Sequence, residues 1–278
     1  MIKVVENLKV LYRYRVLIQN LISRELKARY RGTVLGFFWS FINPLLLMII
    51  YTVVFGFIIG PRDPAFGSNR VLYALFLFCG VLPWSWFSSS SIESANILMI
   101  QGNLIKKVLF PAEILPVVVV TSNFIHFLFG LPILLAAKLL IILFVPQAPP
   151  FSPYLALLPL VMFVQFVFSL GFGFLISSLT VHFRDIKDIL ANLLTFWFFA
   201  TPIIYPMTFP AIQQSSLFRF FLNLNPMTHI IGGYHDTLFA GRSPDWLHLG
   251  GTLLFALLLF WAGHTVFDRL RDSFPEEV

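Results

Sequence analysis

The 278 residues hold only 13 acidic side chains, and 12% of positions are charged against 58% that are hydrophobic. So little polar surface cannot coat a water-soluble globule of this length, which leaves an integral membrane protein. The single cysteine, Cys79, lies inside an apolar run. It reads as a packed thiol and says nothing about redox compartment. No glycine is followed by lysine, so the chain carries no Walker A loop to cradle the phosphates of ATP. Ionisable groups at membrane depth are equally scarce. Glu93 ends the second apolar run, Glu113 opens the third, His126 lies within the third, and Lys138 is placed to snorkel. A proton- or ion-coupled carrier needs such groups near the midplane, so their scarcity argues against one. No internal repeat or low-complexity tract stands out. The N-terminal region has no short apolar core followed by a small-residue cleavage site, so no cleaved leader is expected.

What is present is a series of long apolar runs. Gly32 to Gly60, Val71 to Ile92, Ile114 to Ala137, Tyr154 to Val181, Ile189 to Phe209 and Leu247 to Phe267 carry no charge between them. A helix needs about 20 residues to cross roughly 30 Å of hydrocarbon. The expected fold is therefore an all-α integral membrane protein with six transmembrane helices. Asn43 and Pro44 interrupt the first run, a break tolerated where neighbouring helices satisfy the freed carbonyl.

An even number of spans puts both termini on one side. Of 19 lysines and arginines, fourteen fall on the side of the termini, in the first 31 residues, at Lys106, Lys107, Arg184 and Lys187, and at Arg269 and Arg271. The other side holds Arg62, Arg70, Lys138, Arg219 and Arg242. That asymmetry predicts cytoplasmic termini.

Residues 1–31 read as an amphipathic arm ahead of a single membrane domain, 32–278. At 100° per residue Lys9, Arg13, Asn20, Arg24, Lys27 and Arg31 share one stripe, while Val4, Leu8, Leu11, Ile18 and Ile22 share the opposite one. Such a helix lies in the membrane interface, its apolar side toward the acyl chains. Arg15 and Arg29 break the stripe and must snorkel or find partners.

Three connections carry structure of their own. "MIQGNLIKKVLFPAEILP" predicts a short helix ended by Pro111, and "TVHFRDIKDIL" a tight charged loop. The stretch from Pro206 to Trp246 is too long for a turn. It predicts short re-entrant or gate helices that dip into the membrane and cap an opening.

"LKARYRGTVLGFFWSFINPLLLMIIYTVVFGFI" resembles the start of ABC-2 type permeases that export bacterial surface polysaccharides: O-antigen, capsule and teichoic acid. "LPWSWFSSSSIESA", "NLIKKVLFPAEILP", "HFRDIKDIL" and "ATPIIYP" with "LNPMTHIIGGY" follow in the family's order and spacing. The resemblance implies a homodimer in the bacterial inner membrane, with two copies of a separate ABC ATPase subunit binding ATP and Mg. Lipid-linked polysaccharide would pass between the permeases, so the chain is expected to be a transporter subunit and not an enzyme. No cofactor, metal or nucleic acid is expected of this chain; membrane lipids are. It further implies that Asn103, Leu104, Lys106, Lys107 and Phe110 form a coupling helix on the ATPase, with Arg184 and Asp185 a second contact. An ordinary positive-inside loop, and a simple Arg184–Asp185 pair capping the helices, remain the plain alternatives.

Arg24, Lys27, Arg29 and Arg31 stand where a pyrophosphate-linked lipid headgroup approaches, and the arginine fork suits phosphate. Interface anchoring alone accounts for them too. Sugar rings present C–H faces that aromatic faces pack against, so Trp39, Tyr51, Trp84, Trp86, Trp197 and Tyr205 are candidates for the glycan path. Tryptophan and tyrosine also mark membrane interfaces generally. Gly171 and Gly173, in an apolar run, read as helix contacts. The alternatives are an ABC-2 permease for drugs or lipids, a passive channel, and a membrane-embedded transferase acting on lipid-linked sugar through His229, His235, Asp236 or Asp245.

Overall fold

The computed structural model describes residues 13–30, 32–59, 66, 69–107 and 111–277. Every regular element among them is helical. The arm is α1 (Arg15–Tyr30); its expected positions in residues 1–12, and Arg31, lie outside the described residues. A 3-10 turn at Gly36–Phe38 leads into α2 (Trp39–Tyr51), which continues as a π turn over Thr52–Ile59.

Among the described residues four helical segments are long and apolar enough to cross a membrane: Arg70–Ile100, Ile114–Phe144, Pro153–His182 and Trp246–Glu277. They contain α3 (Arg70–Ile100), α5 (Ile114–Phe144), α6 (Leu158–His182) and α11 (Trp246–Leu270). A shorter apolar helix spans Trp39–Phe55. The chain is thus a multi-pass helical membrane protein. α3 is its centre, with 83% of its apolar stretch buried against 22% for α5 and 28% for the segment holding α11.

α3 outruns the apolar run that predicts it, so Glu93 lies inside the helix and does not end it. Asn69 starts it by accepting from the Leu72 amide at 3.1 Å. Small polar side chains carry it on because they bond back to its own carbonyls, Ser91 to Phe87 at 2.8 Å and Asn96 to Ile92 at 2.9 Å.

The run from Ile189 to Phe209 differs from expectation in the other direction. It forms only α7 (Ile186–Phe199), 14 residues or about 21 Å, and then turns at Ala200–Ile204. Pro202 and Pro206 lack the amides a continuing helix needs. Short helices follow: α8 (Pro210–Gln214), α9 (Ser216–Leu224) and α10 (Pro226–Tyr234), with a π turn over His235–Ala240. α4 (Gly102–Lys107) and α12 (Phe274–Glu277) complete the set.

The α6–α11 pair is made by glycine. A Cβ on Gly263 would lie 2.4 Å from the carbonyl oxygen of Gly171, and one on Gly171 would lie 2.6 Å from the Phe260 amide nitrogen. Lipid gives helices no hydrophobic reason to associate, so close backbone approach supplies the dispersion contact instead. Gly173 faces Ser94 of α3, where a Cβ would stand 3.0 Å from its Oγ.

The bundle has two distinct ends. At one, Phe274 and Phe267 pack with Ile97, Ala112 and Val181. There Arg271 binds Glu113 at 3.0 Å, and His182 meets Ser273 at 3.1 Å. At the other, Phe66, Tyr73 and Phe76 pack with Phe239, and the Tyr73 hydroxyl donates to the Ile204 carbonyl at 2.6 Å.

Gly263→Ala drives a methyl group into the Gly171 carbonyl. The purified protein should melt roughly 5 °C or more below the wild type. Gly250→Ala, whose added carbon meets nothing within 4 Å, should leave the melting temperature unchanged. Equal melting of both variants would contradict the backbone contact.

Candidate functional site

The charged end gathers the positions expected to couple. Leu104 and Lys107 belong to α4 with Asn103 and Lys106, while Phe110 lies outside the described residues. Asn103 and Lys106 are both exposed. Ile105 holds α4 to the bundle by packing on the Ile97–Phe274 cluster. Arg184 and Asp185 are exposed between α6 and α7, and Asp185 makes no side-chain cap on α7. They do not pair with each other among the described salt bridges.

The arm does not lay its whole apolar side toward acyl chains. Leu21 is buried on Ile114 and Val118 of α5, with Leu17, Ile18 and Ile22 around it. Arg29, which breaks the basic stripe, turns inward and pairs with Glu93 of α3. It also donates to Asn123 Oδ1 at 3.2 Å, and Asn123 Nδ2 donates to the same Glu93 oxygen at 2.7 Å. A carboxylate in that position needs donors from the protein, and two helices supply them. Arg29 is therefore committed to the protein, whereas Arg24 and Lys27 stay exposed on α1. Beside Lys27 lies a groove of about 580 Å³ between α1, Gly36 and α5.

Toward the opposite end, a cavity of about 780 Å³ opens between the end of α7 and the short helices. Trp197, Phe199, Tyr205, Phe218, Phe221 and Asn225 are among its walls. Asn225 is its keystone. Its Nδ2 donates to the Ala200 carbonyl at 3.2 Å and to Thr201 Oγ1 at 3.0 Å. Its Oδ1 accepts from Trp197 Nε1 at 2.8 Å and from the Met227 amide at 3.0 Å. The Tyr205 hydroxyl donates to the Phe199 carbonyl at 2.9 Å. The polar atoms of these three side chains are thus already engaged, and the cavity presents ring faces.

The six aromatic candidates separate accordingly. Trp197 and Tyr205 line the cavity. Trp84 and Trp86 are buried within the bundle, Trp84 edge-on to Phe87, Trp197 and Phe198, and Trp86 against Phe124 and Phe127. Neither offers a face to a passing chain. Trp39 and Tyr51 sit at the two ends of α2, Tyr51 stacked on Phe55.

The four residues considered for transferase chemistry are each engaged by the protein, and His229 and Asp245 both meet His248. His235 stacks on the Phe76 ring, with Nε2 3.1 Å from the Phe76 carbonyl. Asp236 accepts from Arg242 at 2.6 Å. Asp245 caps α11 through the Leu247 and His248 amides, at 3.1 and 3.2 Å, and its other oxygen lies 2.8 Å from His248 Nδ1. That side-chain hydrogen bond, with the amides, holds its carboxyl below the usual carboxylate range. His229 stacks on His248 and sets Nε2 2.8 Å from the Asn223 carbonyl. Among the described residues no three His, Cys, Asp or Glu side chains gather to hold a metal ion.

Lys138 does not snorkel. It is buried, with Nζ donating to the Leu238 carbonyl at 2.7 Å and the Phe239 carbonyl at 3.3 Å, above the Phe151 ring. Sequence reasoning missed Asn225 altogether, although Asn-Pro in "LNPMTHIIGGY" is a helix-start signature of capping side chain and N1 proline.

Arg29→Gln strands the Glu93 carboxylate, and Glu93→Gln strands the guanidinium. Each should cost about 1–2 kcal/mol, and the double variant should lose less than the sum. Thermal melting of the four proteins checks this; strictly additive losses would contradict the pair.

A profile of the ABC-2 type transporter family matches residues 16–239, from α1 through the π turn. The O-antigen export system permease protein RfbA of Myxococcus xanthus is 37% identical over 268 residues, covering 96% of this chain and 97% of the relative. One of the same name from Klebsiella pneumoniae is 29% identical over 275 residues, 99% of this chain and 98% of its own. The polysialic acid transport protein KpsM of Escherichia coli is 23% identical over 261 residues, 93% and 95% of the two chains. With a family match over most of its length and end-to-end similarity to named permeases, the chain belongs to the ABC-2 type transporter family.

Proposed function

We propose that this chain is the membrane subunit of an ATP-driven exporter of lipid-linked polysaccharide in a bacterial inner membrane. The observation that carries the reading is similarity to O-antigen export permeases across 96% of the chain at 37% identity. The working unit is a homodimer with two copies of a separate ATPase subunit that bind ATP and Mg. Residues 1–31 form the interface arm and 32–278 the membrane domain. α2 with its π turn is the first of six spans, and α7 with the turn and short helices after it is the fifth. The basic asymmetry supports cytoplasmic termini, which puts Asn103, Lys106, Arg184 and Asp185 on the ATPase side.

In this reading α4 is the coupling element, fastened by Ile105 and carrying Lys106. α7 starts at the Arg184–Asp185 loop and ends at Trp197 and Phe199. One rigid helix thus joins the ATPase side to the aromatic cavity, which is the candidate stretch of the glycan path. Arg24 and Lys27 attract anionic headgroups at the interface.

One observation favours a second reading, a lipid or drug permease. With Asn225, Trp197 and Tyr205 donating to the protein, these side chains leave sugar oxygens no spare donor in the cavity. Gene deletion separates the two. Export of polysaccharide predicts loss of the surface polymer with lipid-linked glycan accumulating inside; an unchanged cell surface would overturn it. Lys106→Glu should lower ATPase subunit co-purified with the chain by about tenfold, the factor for roughly 1.4 kcal/mol at a docking surface. Undiminished recovery would remove α4 from the contact.

A further inference from the structure

The groove beside α1 has two unlike walls. Gln19, Ser23 and Lys27 recur at every fourth position, so they form one polar stripe about 12 Å long on the helix. Ile22 and Leu26 of α1 and Ile125 of α5 supply apolar surface alongside it. Gly36 closes the groove without a side chain, and a Cβ there would meet nothing within 4 Å. Arg29, off this stripe, is bound to Glu93 and Asn123. Lys27 is exposed at the mouth of the groove and lines it. Among the described salt bridges no carboxylate takes it.

We propose that this groove holds one anionic phospholipid of the surrounding membrane, its phosphodiester at Lys27 and one acyl chain along Ile22, Leu26 and Ile125. The inference rests on the interfacial placement of α1, not on the polysaccharide. Charge complementarity selects the occupant: one ammonium and no carboxylate among the lining residues match the single negative charge of a phosphodiester. Hydroxyl and amide groups at Ser23 and Gln19 suit the glycerol and ester oxygens beside it. The walls are fastened on both sides, Leu21 on Ile114 and Val118 and Phe41 against Phe129 with ring centroids 5.6 Å apart. A resident lipid fits such fixed walls, whereas passing cargo needs walls that part. Filling the groove would extend the seat of α1 on α5, because an unfilled wall forfeits its dispersion contacts.

The test is phospholipid retained per chain by the full-length protein, extracted in mild detergent from its own membranes and passed through vesicles of phosphatidylglycerol or of phosphatidylcholine. Wild type should keep close to one phosphatidylglycerol and no phosphatidylcholine. Lys27→Gln should lower retention about fivefold, the factor for one cation at an anionic lipid surface. Ile125→Trp, which keeps the charge and fills the groove, should lower it as well. Arg219→Gln, an exposed cation on α9, should change nothing. Equal retention in all four proteins would overturn the proposal. So would recovery of a polyprenyl-linked glycan in place of phospholipid with the same dependence on Lys27, which would make the groove a cargo site. Since phospholipid is counted directly, the result stands apart from whether the chain exports polysaccharide.

Discussion

Arg29 leaves the basic face of α1 to meet Glu93 of α3 and Asn123 of α5, and three helices are thereby held at one point. A bilayer offers a buried ion no solvent, so each polar group below the surface must be matched by the protein. The charged groups meet this demand at junctions between helices. Glu113 and Arg271 tie the start of α5 to the end of α11. Lys138 ties α5 to the carbonyls that end the π turn after α10. Between these joints many contacts are apolar or made through glycine and serine, as where Gly171 meets Gly263 and Gly173 meets Ser94, and Gln165 donates to the Pro83 carbonyl at 2.7 Å.

The same demand distinguishes the two cavities. The groove at α1 sets an ammonium next to hydroxyl, amide and hydrocarbon, so it suits an amphiphile. The cavity at the end of α7 has turned its polar atoms into the protein, with Asn225 meeting Trp197, Ala200, Thr201 and Met227 at once. What remains are ring faces, which hold a ligand by shape and dispersion and not by direction. Such a surface tolerates a polymer sliding past it better than a hydrogen-bonded one does. α7 spans the distance between this cavity and the charged loop at Arg184 and Asp185, so displacement at one end of a short rigid helix reaches the other.

The long apolar runs made most of the bundle legible, because about 20 consecutive uncharged residues match the thickness of a bilayer and little else. The run from Ile189 to Phe209 misleads because composition counts residues, while Pro202 and Pro206 act on amides; the helix stops at Phe199. Glu93 looks like a helix end because its neighbours are polar, yet serine and asparagine sustain α3 by bonding their own carbonyls. An irregularity that carried information was Arg29. An arginine out of step with its stripe needs a partner, and the partner is 64 residues away. Lys138 gives no such hint: its acceptors lie 100 and 101 residues on, and local pattern cannot report a contact made by the fold. Likewise Trp84 and Trp86 differ from Trp197 only in which helix faces them.

The most direct measurement is reconstitution of the chain with its ATPase subunit into proteoliposomes carrying lipid-linked polysaccharide, followed by the accessibility of the glycan to an externally added glycosidase. ATP-driven export predicts that glycan moves from the ATPase side to the opposite face only when ATP is hydrolysed, and stays put when either subunit is omitted. Hydrolysis without movement of glycan, or movement without ATP, would contradict it.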